Sequence, residues 1–511
     1  MKLSSSVQMK QMDKEAIKTG IPDIVLMENA SVKSFFQIKS RYENIEGALS
    51  VAFVGVGNNG GDAIAISRHL YNNGANVFIY MLTDEEKLNA SPKTNFEIVK
   101  NMGIQYKIVK NESDFDEEII KESDIIIDGI FGIGLSRNVE GIFKKAIELI
   151  NDSDAFIVSV DIPSGIKADS GEVMGEAVRA DLTTTFALAK PGHFLYPGRE
   201  HSGEVEVVDI TTPKYILDEF NADFYAIEKE DISINFREPT SHKGTYGHLN
   251  IIGGSKGKSG AVILASKAAL RCGAGLVSTT IPNSINTAFE ANILEAMSCP
   301  VGNSDEKTFS DKDISEILEF AKDKDAVAFG MGLGVNDSTK KLTKHILRID
   351  KPILIDADGI NCLSENVELL KARKEPTILT PHPKEFARLT NLTVKEIVKN
   401  RLSIIKEFSS EHNVILVLKM ADTLISTPQG KIYINTTGNP GLATGGSGDI
   451  LSGMIASFLA QGYEALQSCI NGVFLHGLAA DLAYDDGFSY ESLTPQDVIE
   501  YINEAIVEIT G

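Results

Sequence analysis

The residues best suited to chemistry in this sequence are glycines and aspartates that follow short β-branched runs. The first such segment, GVGNNGGD at 55–62, stands between a run of this kind and a helix-like pattern. Glycines there let the backbone approach a phosphate, and the N-terminus of the following helix supplies N–H donors. Asp128 and Asp161 each end a further run and precede a loop that contains glycine. Because side chains at the carboxyl ends of parallel strands project into a ligand crevice, these segments predict one shared site.

Each of these residues also has a purely structural interpretation. A tight strand-to-helix turn would use the same glycines, and a lone aspartate at a strand end is commonly a helix or turn cap. The adjacent Asn58 and Asn59 and the closing Asp62 are harder to explain by turn chemistry, and they favour binding. A further loop, AKPGH at 189–193, follows another strand of the same half.

The second half carries the segment NPGLATGGSGD at 439–449, which opens a long apolar helix. We call 439–448 the phosphate cradle, because N–H groups converge at such a helix start and the helix dipole favours an anion there. Asp449 follows directly, where a carboxylate could take a proton from a hydroxyl as a phosphoryl group is transferred to it. The alternative is an ordinary glycine-rich N-cap with Asp449 as a first-turn residue.

Two polar groups lie upstream of the cradle. Lys419 and Thr423 stand at a strand end, where a lysine can neutralise nucleotide phosphate, although a lone lysine is usually solvated surface. His382, Glu385 and Arg388 lie near one predicted helix start. A spacing of three places the glutamate and the arginine on one helical face, so a plain ion pair is the alternative. His382 could equally be a cap.

Two α/β units in series are needed to position these residues. Short β-branched runs alternate with longer helical patterns, as in parallel sheets with crossover helices. In the first half the predicted strands cover 50–56, 76–82, 124–128, 156–160 and 182–187, with helices over 64–71 and 142–150. In the second half they cover 248–254, 325–332, 352–359, 377–383 and 413–419, with helices over 448–461 and 463–483. We expect the domain boundary near residue 220.

Composition and charge restrict the partners. The 511 residues contain 49 Lys and Arg against 71 Asp and Glu, a net charge of −22. Such a chain has no basic field for nucleic acid or for an anionic membrane surface, so any phosphate must be held locally. The first residues show no apolar signal segment, and no stretch reaches the roughly 18 apolar residues of a membrane span. The four cysteines have no short spacing, so we expect a cytoplasmic protein with reduced thiols.

Four separated motifs in the first half resemble one family. The motifs GIPDIVLMENA at 20–30, GNNGGD at 57–62, DGIFGIGLSR at 128–137 and DIPSG at 161–165 follow the order of the epimerase domain of the NAD(P)H-hydrate repair enzymes. The resemblance covers most of 1–215. It implies a Rossmann-like fold that interconverts the two C6 epimers of hydrated NADH or NADPH, with a potassium ion that helps to organise the phosphate site.

The same resemblance implies roles for single residues. Asp161 would act at the reacting carbon, and Asn59, Asp128 and Ser164 would ligate potassium. Carbon C6 is a hemiaminal-type carbon that inverts by loss and return of hydroxyl or by ring opening, and either route needs a group that moves protons. The residues implied to bind the hydrated dinucleotide are Asn58, Asn59, Gly60, Gly61, Asp62, Gly132, Ile133, Gly134, Leu135, Ser136, Arg137, Asn138 and Asp161.

The second half resembles the ribokinase-like superfamily and, within it, NAD(P)H-hydrate dehydratase. The motifs are GHLNIIGGS at 247–255, GAGLVS at 273–278, FGMGLG at 329–334, TPHPKEFARL at 380–389 and NPGLATGGSGD at 439–449. The resemblance spans nearly all of 240–490. It implies that ADP or ATP, with magnesium, drives loss of water from the S epimer through phosphorylation of the hydrate hydroxyl and elimination of phosphate.

Residue roles in the second half follow from this resemblance, with Asp449 as the catalytic residue. The residues implied to face the hydrate are Gly332, His382, Pro383, Lys384, Glu385, Phe386, Ala387, Arg388 and Asp449. The residues implied to bind the nucleotide are Lys419, Met420, Ala421, Asp422, Thr423, Asn439, Pro440, Gly441, Leu442, Ala443, Thr444, Gly445, Gly446, Ser447 and Gly448.

The motifs together predict a bifunctional isomerase and lyase that repairs hydrated NADH and NADPH. An N-terminal Rossmann-like α/β/α domain at 1–220 would be the epimerase, and a C-terminal ribokinase-like α/β domain at 221–511 the dehydratase; we expect a homo-oligomer. Two alternatives stay open, since fold alone does not fix function. The second half could be a small-molecule kinase that releases a phosphorylated vitamin or sugar. The first half could be a nucleotide-binding or interaction module without turnover.

Overall fold

The computed structural model describes residues 1–511. The chain divides into two units, one of Lys2–Tyr225 and one of Met1 with Ala226–Gly511. Both units are mixed α/β with parallel sheets, so the predicted fold class is confirmed. No helix combines the length and the apolar character needed to cross a membrane, and the four cysteines are free.

Strands and helices alternate through the first unit. The strands are β1 (Lys2–Leu3), β2 (Leu49–Val54), β3 (Asn76–Met81), β4 (Gln105–Ile108), β5 (Ile125–Gly129), β6 (Phe156–Val160), β7 (Leu182–Phe186), β8 (Glu204–Val208) and β9 (Phe224–Ala226). The helices are α1 (Ser6–Lys18), α2 (Asp23–Arg41), α3 (Asn58–Asn72), α4 (Ala90–Asn101), α5 (Glu117–Lys121), α6 (Ile142–Asn151), α7 (Gly198–Ser202) and α8 (Lys214–Asp218).

Seven of these strands form a parallel sheet in the order β4-β3-β2-β5-β6-β7-β8. Alternate residues of the strands enter two separate apolar clusters, one with α2, α3 and α4 and the other with α5 and α6. Burial on both faces explains why the strands read as continuous apolar runs rather than as alternating ones. The strand order reverses between β2 and β5, and loops that diverge at such a point open a crevice for a ligand.

The second unit has the same alternation with more helix. Its strands are β10 (His248–Ile252), β11 (Leu276–Pro282), β12 (Met297–Val301), β13 (Ala326–Phe329), β14 (Ile353–Ile355), β15 (Thr377–Leu379), β16 (Ile415–Leu418), β17 (Leu424–Ser426) and β18 (Ile432–Ile434). Its helices are α9 (Ser259–Arg271), α10 (Asn286–Asn292), α11 (Ile314–Lys322), α12 (Asp337–Ile346), α13 (Ala357–Leu363), α14 (Pro383–Thr390), α15 (Val394–Lys399), α16 (Arg401–His412), α17 (Ser447–Ala460), α18 (Ala465–Asp485) and α19 (Pro495–Thr510).

The sheet of the second unit runs β18-β17-β16-β15-β14-β13-β10-β11-β12. All pairs from β16 to β12 are parallel, and β17 and β18 add an antiparallel end. Several predicted strands are too long at their carboxyl ends. The strand predicted over 352–359 ends at Ile355, because Ala357 takes a positive φ of 49° and begins α13.

Candidate active sites

The first unit contains a cavity of about 540 Å³ at the loops that follow β2 and β5, where the strand order reverses. Residues of α1 and α2 and the ends of β6 and β7 also line it. The predicted binding residues that line this cavity are Asn58, Asn59, Asp62, Gly132, Ile133, Gly134, Leu135, Ser136, Arg137 and Asp161. Gly60, Gly61 and Asn138 lie outside the lining.

Gly60 and Gly61 serve the packing of α3. A Cβ at Gly60 would overlap the carbonyl oxygen of Gly55, and one at Gly61 would lie 2.7 Å from Met27 Cε. The helix therefore starts directly against the turn after β2 and against α2. The close backbone approach predicted for a phosphate is, at these two positions, an approach between protein segments, and the polar residues beside them face the cavity.

Asp161 follows β6 with a φ of +63°, a backbone conformation that residues other than glycine rarely adopt. Its carboxylate contacts Lys190 Nζ and accepts a hydrogen bond from Thr185 Oγ1 at 3.1 Å. His193 Nδ1 accepts a bond from Lys190 N at 3.1 Å, so His193 Nε2 carries the proton and donates to Asp161 O at 2.9 Å. Strained residues held by several surrounding bonds cluster at functional sites. Side chains bind this carboxylate, which distinguishes Asp161 from a cap.

Lys190 is the cation of the cavity that is fully buried. Its ammonium group also donates to Thr185 Oγ1 at 2.7 Å. Burial and the neighbouring Lys190 lower the pKa of His193 to about 4, so its ring is neutral at neutral pH. The neutral ring and the ammonium group together fix the backbone and the carboxylate of Asp161.

Three more carboxyl groups, those of Asp13, Asp23 and Asp62, line the cavity without a hydrogen bond to the protein. Burial raises the pKa of Asp13 to about 6; Lys190 opposes this shift, and Asp161 and Asp23 add to it. Burial, followed by the like charge of Asp161, raises the pKa of Asp62 well above its usual range. One carboxylate of this cavity, that of Asp161, therefore has a direct cationic partner, and the other three carboxyl groups have none.

Asp128, the predicted carboxylate ligand of potassium, is fully buried behind the lining of the cavity. Its Oδ2 accepts hydrogen bonds from Ser164 N and Ser159 Oγ, both at 2.8 Å, and its Oδ1 accepts one from Ile130 N at 3.3 Å. Burial raises the pKa of Asp128, and these donors oppose the shift. The capping alternative is thus partly realised, because two of the three donors are backbone groups.

Asn59 and Ser164, the other predicted potassium ligands, meet around Phe131. Asn59 Nδ2 donates to Phe131 O at 2.9 Å and to Val160 O at 2.7 Å. Ser164 Oγ accepts from Phe131 N at 2.8 Å and lies 3.3 Å from Phe131 O. Several neutral oxygens therefore converge beside one buried carboxylate, a donor set that suits a hard cation of low charge.

In the second unit a carboxylate joins three elements. Asp356 follows β14 and is buried; its Oδ1 accepts a hydrogen bond from Lys419 Nζ at 2.7 Å, and its Oδ2 accepts one from Ser452 Oγ at 2.8 Å. Lys419 follows β16 and Ser452 belongs to α17. The sequence offered the same signal here as at Asp128 and Asp161, an aspartate at a strand end, but the prediction assigned it no role.

Asp449 is the third residue of α17 and lies in the field of the same groups. Burial and Asp356 raise the pKa of Asp449 to about 7, against Lys419. Burial likewise raises the pKa of Glu385. Although burial opposes it, the carboxylates of Asp356 and Glu385 raise the pKa of Lys419. One ammonium group thus stands among three carboxyl groups, and the carboxyl group of Asp449 forms no hydrogen bond to the protein.

The phosphate cradle ends in an open helix start. Helix α17 begins at Ser447, Gly446 precedes it with a φ of +104°, and no side chain caps its first N–H groups. A Cβ at Gly445 would meet no atom within 4 Å, whereas one at Gly448 would lie 3.1 Å from Lys419 Nζ. Unsatisfied N–H groups at a helix start bind anions, and here Lys419 stands beside them.

Some predicted nucleotide residues have structural partners. Asn439 Oδ1 accepts a hydrogen bond from Gly441 N at 3.0 Å, and Asn439 Nδ2 donates to Asp481 at 3.0 Å. Asp422 is buried and accepts a bond from Arg401 Nη2 at 2.9 Å. These side chains shape the loops, while the exposed segment 443–445 of the cradle is accessible to a ligand.

His382 caps the N-terminus of α14, as the alternative interpretation of this residue predicted. Its Nδ1 accepts hydrogen bonds from Lys384 N at 3.0 Å and Glu385 N at 3.3 Å, and Glu385 Oε2 accepts one from His382 N at 2.9 Å. Arg388 Nη1 donates to Asn361 Oδ1 at 2.6 Å, so Arg388 contacts an amide and does not form the ion pair with Glu385 that was the alternative interpretation.

Two residues of the predicted hydrate-facing set are fixed by packing. Phe386 is fully buried against Phe408, with ring centroids 5.2 Å apart, so its inclusion is corrected: it belongs to the core. Gly332 has a φ of +63°, and a Cβ there would lie 2.7 Å from Lys258 O.

The structure adds Asp13, Lys190 and Asp356 to the two sites. Lys190 stands in the AKPGH loop, which the sequence marked as a loop after a strand without giving its lysine a role. Asp13 belongs to no motif, and no local pattern predicts that α1 contributes to the cavity.

Comparison with known proteins gives matches over both units. A family model described as NAD(P)H-hydrate dehydratase matches residues 249–504, and one described as YjeF-related protein N-terminus matches residues 23–192. The chain is 36% identical over 511 residues to the bifunctional NAD(P)H-hydrate repair enzyme Nnr of Thermofilum pendens, covering 99% of this chain and 96% of that protein. The enzyme of the same name from Moorella thermoacetica is 36% identical over 490 residues, covering 94% and 92%.

One solved structure is similar to part of the chain. The crystal structure of the ADP/ATP-dependent NAD(P)H-hydrate dehydratase of Bacillus subtilis, co-crystallised with ATP and Mg²⁺, shares 30% identity. The match covers 56% of this chain and 98% of that one, with a TM-score of 0.48. The two ranges matched by family models lie one in each unit.

Proposed function

The chain belongs to the family of bifunctional NAD(P)H-hydrate repair enzymes, and on this basis we propose how its two units divide the work. The first unit epimerises hydrated NADH and NADPH, and the second removes water from the S epimer in a nucleotide-dependent reaction. The function predicted from the sequence thus agrees with the family. The small-molecule kinase alternative is not favoured, because the family model over 249–504 describes a dehydratase.

The observation that carries the epimerase assignment is the fixed carboxylate of Asp161 beside Lys190 in the cavity. The ammonium group of Lys190 lies directly against this carboxylate. Such a carboxylate can accept the proton of the C6 hydroxyl as the carbon–nitrogen bond opens, and return it on closure. We assign the loop 132–137 and the Asn58 and Asn59 side chains to the dinucleotide.

Potassium fits the oxygens that surround Asn59, and we propose it as the resident ion of the first unit. If the Asn59 amide rotated by 180°, Oδ1 instead of Nδ2 would face the carbonyl oxygens of Phe131 and Val160. A cation bound between these three oxygens would remove the repulsion among them. Asp128 and Ser164 complete the set. When bound, the ion would offset phosphate charge in a protein whose net charge is −22.

For the second unit we propose that Asp449 takes the proton of the hydrate hydroxyl while the nucleotide transfers a phosphoryl group to that oxygen. Elimination of phosphate from C6, with loss of a proton from C5, then restores the reduced nicotinamide. The cradle would hold nucleotide phosphate at the start of α17, with Lys419 beside Gly448. The carboxylates of Asp356 and Glu385 would offer the oxygen ligands that magnesium prefers, and ADP or ATP would be the donor.

Separate assays on full-length variants test this division of work. With pure R hydrate and no nucleotide, Asp161→Asn should lose conversion to the S hydrate, and Asp449→Asn should retain it. With pure S hydrate and nucleotide, Asp449→Asn should lose dehydration, and Asp161→Asn should retain it. Loss of both activities in either variant, with unfolding midpoints unchanged, would contradict two independent sites. Consumption of R hydrate by Asp161→Asn at the wild-type rate would support the non-catalytic alternative for the first unit.

Other predictions remain proposals about this chain. We propose domain limits of 1–220 and 221–511, a homo-oligomeric state and a cytoplasmic location. The net charge of −22 supports small-molecule substrates over nucleic acid or an anionic membrane surface. Light scattering of the purified chain measures the subunit number directly.

A further inference from the structure

We propose that Asp13 is a second catalytic residue of the epimerase cavity, exchanging a proton with the ring nitrogen of the hydrate while Asp161 exchanges one with the C6 hydroxyl. This inference rests on the proposed epimerase function of the first unit. It concerns a residue of α1 that no motif of the sequence contains.

Asp13 enters the cavity from a different element than the strand-end residues. Met9, Lys10 and Asp13 of α1 line the cavity together with Asp161 and Lys190. Met9 packs in the apolar cluster that fixes α1 on the unit. The carboxyl group of Asp13 is therefore carried by an anchored helix, and it forms no hydrogen bond within the protein that would hold it away from a ligand.

Asp13 and Asp161 have different direct partners in the cavity. Asp161 has the ammonium group of Lys190 and the hydroxyl of Thr185 as direct donors. Asp13 has neither, and burial raises its pKa to about 6. The charged groups that line the cavity with it are Lys10, Asp23, Asp62, Arg137, Asp161 and Lys190. A carboxylate held by an ammonium group suits a base, and a carboxyl group without such a partner in the same cavity suits an acid.

The protons balance in the ring-opening route without a further reactant. Asp161 takes the proton of the C6 hydroxyl, the C6–N1 bond breaks to leave an aldehyde, and Asp13 gives its proton to N1. After rotation about the C5–C6 bond, N1 attacks the other face of the aldehyde. Asp161 returns its proton to the oxygen, Asp13 recovers its proton from N1, and both residues regain their starting states.

Asp62 is the competing candidate and Asp23 is the control, since both also line the cavity without a hydrogen-bond partner. The pKa of Asp62 is raised well above the usual range, mainly by burial. A group that stays protonated can donate a hydrogen bond to the substrate. A group with a pKa near the working pH can both release and recover a proton, and the efficiency of proton transfer is greatest there. Asp13 fits that second requirement.

The test measures conversion of pure R hydrate to S hydrate by the full chain, without nucleotide, across pH. Asp13→Asn should lower the rate about 10²–10⁴-fold, as expected for loss of a catalytic acid. The wild-type rate should fall above about pH 6, where Asp13 loses its proton. Asp13→Asn should lack this alkaline decline, and Asp13→Glu should restore it. Asp23→Asn, which removes one negative charge from the same cavity, is the matched control.

The outcomes distinguish failure of the role of Asp13 from failure of the proposed epimerase function. A wild-type chain that does not convert R hydrate overturns the proposed epimerase. An active wild type with Asp13→Asn no slower than Asp23→Asn overturns the role of Asp13 alone. The same holds if Asp62→Asn, and not Asp13→Asn, abolishes the alkaline decline. If Asp13→Asn unfolds, the pH profile of Asp13→Glu decides, and a profile without the alkaline decline contradicts the proposal.

Discussion

Lys419 donates a hydrogen bond from its ammonium group to Asp356 Oδ1 at 2.7 Å, across 63 residues of sequence. The sequence predicted this lysine as a partner of nucleotide phosphate. The aspartate keeps the ammonium group charged and fixes it beside Gly448 at the start of α17. The ion pair with Asp356 therefore holds the ammonium group of Lys419 beside the phosphate cradle, where the group can also bind phosphate.

Removal of Asp356 should expose this dependence. In Asp356→Ala the largely buried ammonium group of Lys419 loses its hydrogen-bond partner, and the free energy of unfolding should fall by about 3–5 kcal/mol. The KM for nucleotide should rise. Ser452→Ala removes only a hydroxyl donor to the same carboxylate and should cost about 1 kcal/mol. Urea unfolding of the two variants measures the difference, and equal small losses would contradict a structural role for the pair.

The pH dependence of dehydration should report Asp449. A general base must be ionised, and the pKa of Asp449 is raised to about 7. The rate with S hydrate and saturating nucleotide should therefore rise with pH through this value and level off above it. Asp449→Asn should lose about 10²–10⁴-fold in rate and this pH dependence with it. A wild-type rate that is highest in acid would exclude Asp449 as the base.

Two glycines beside the turn after β2, Gly57 and Gly60, should differ sharply in their tolerance of alanine. A Cβ at Gly60 would overlap the carbonyl oxygen of Gly55, whereas one at Gly57 would meet no atom within 4 Å. Gly60→Ala should therefore lower the free energy of unfolding by about 1–3 kcal/mol, the usual effect of overpacking. Gly57→Ala, the matched control, should change it little. Equal stability of the two variants would show that α3 can shift away from the β2 turn.

Potassium should support epimerisation but not dehydration. Replacing potassium by a large organic cation at constant ionic strength should slow conversion of R to S hydrate. Asp128→Ala should remove the potassium dependence and most of the activity. Ser159→Ala, which loses only a donor to Asp128, should keep the dependence. Equal epimerisation without any small monovalent cation would mean that Asn59, Asp128 and Ser164 serve only the loops.

Strands and glycine loops were predictable because parallel strands buried on both faces read as continuous β-branched runs. Asp161 and Asp449 were predictable because each stands directly after a strand or a glycine cradle. Their partners were not, since Lys190 lies 29 residues from Asp161, and Asp356 lies 63 residues from Lys419. Such pairs arise when the sheet brings strand ends together. The contribution of Asp13 depends on the placement of α1, which has no local signature in the sequence.

The return of reduced-nicotinamide absorbance is the most direct test that the chain repairs hydrated dinucleotide by epimerisation followed by dehydration. Pure R hydrate of NADH is incubated with the full chain, potassium, magnesium and ADP or ATP, and absorbance is followed to completion. We predict complete recovery of the absorbance by the wild type. In Asp161→Asn the absorbance should recover only at the rate of spontaneous epimerisation. We also predict that free phosphate is released as reduced nicotinamide forms. A stable phosphorylated product without recovered absorbance would contradict this repair function.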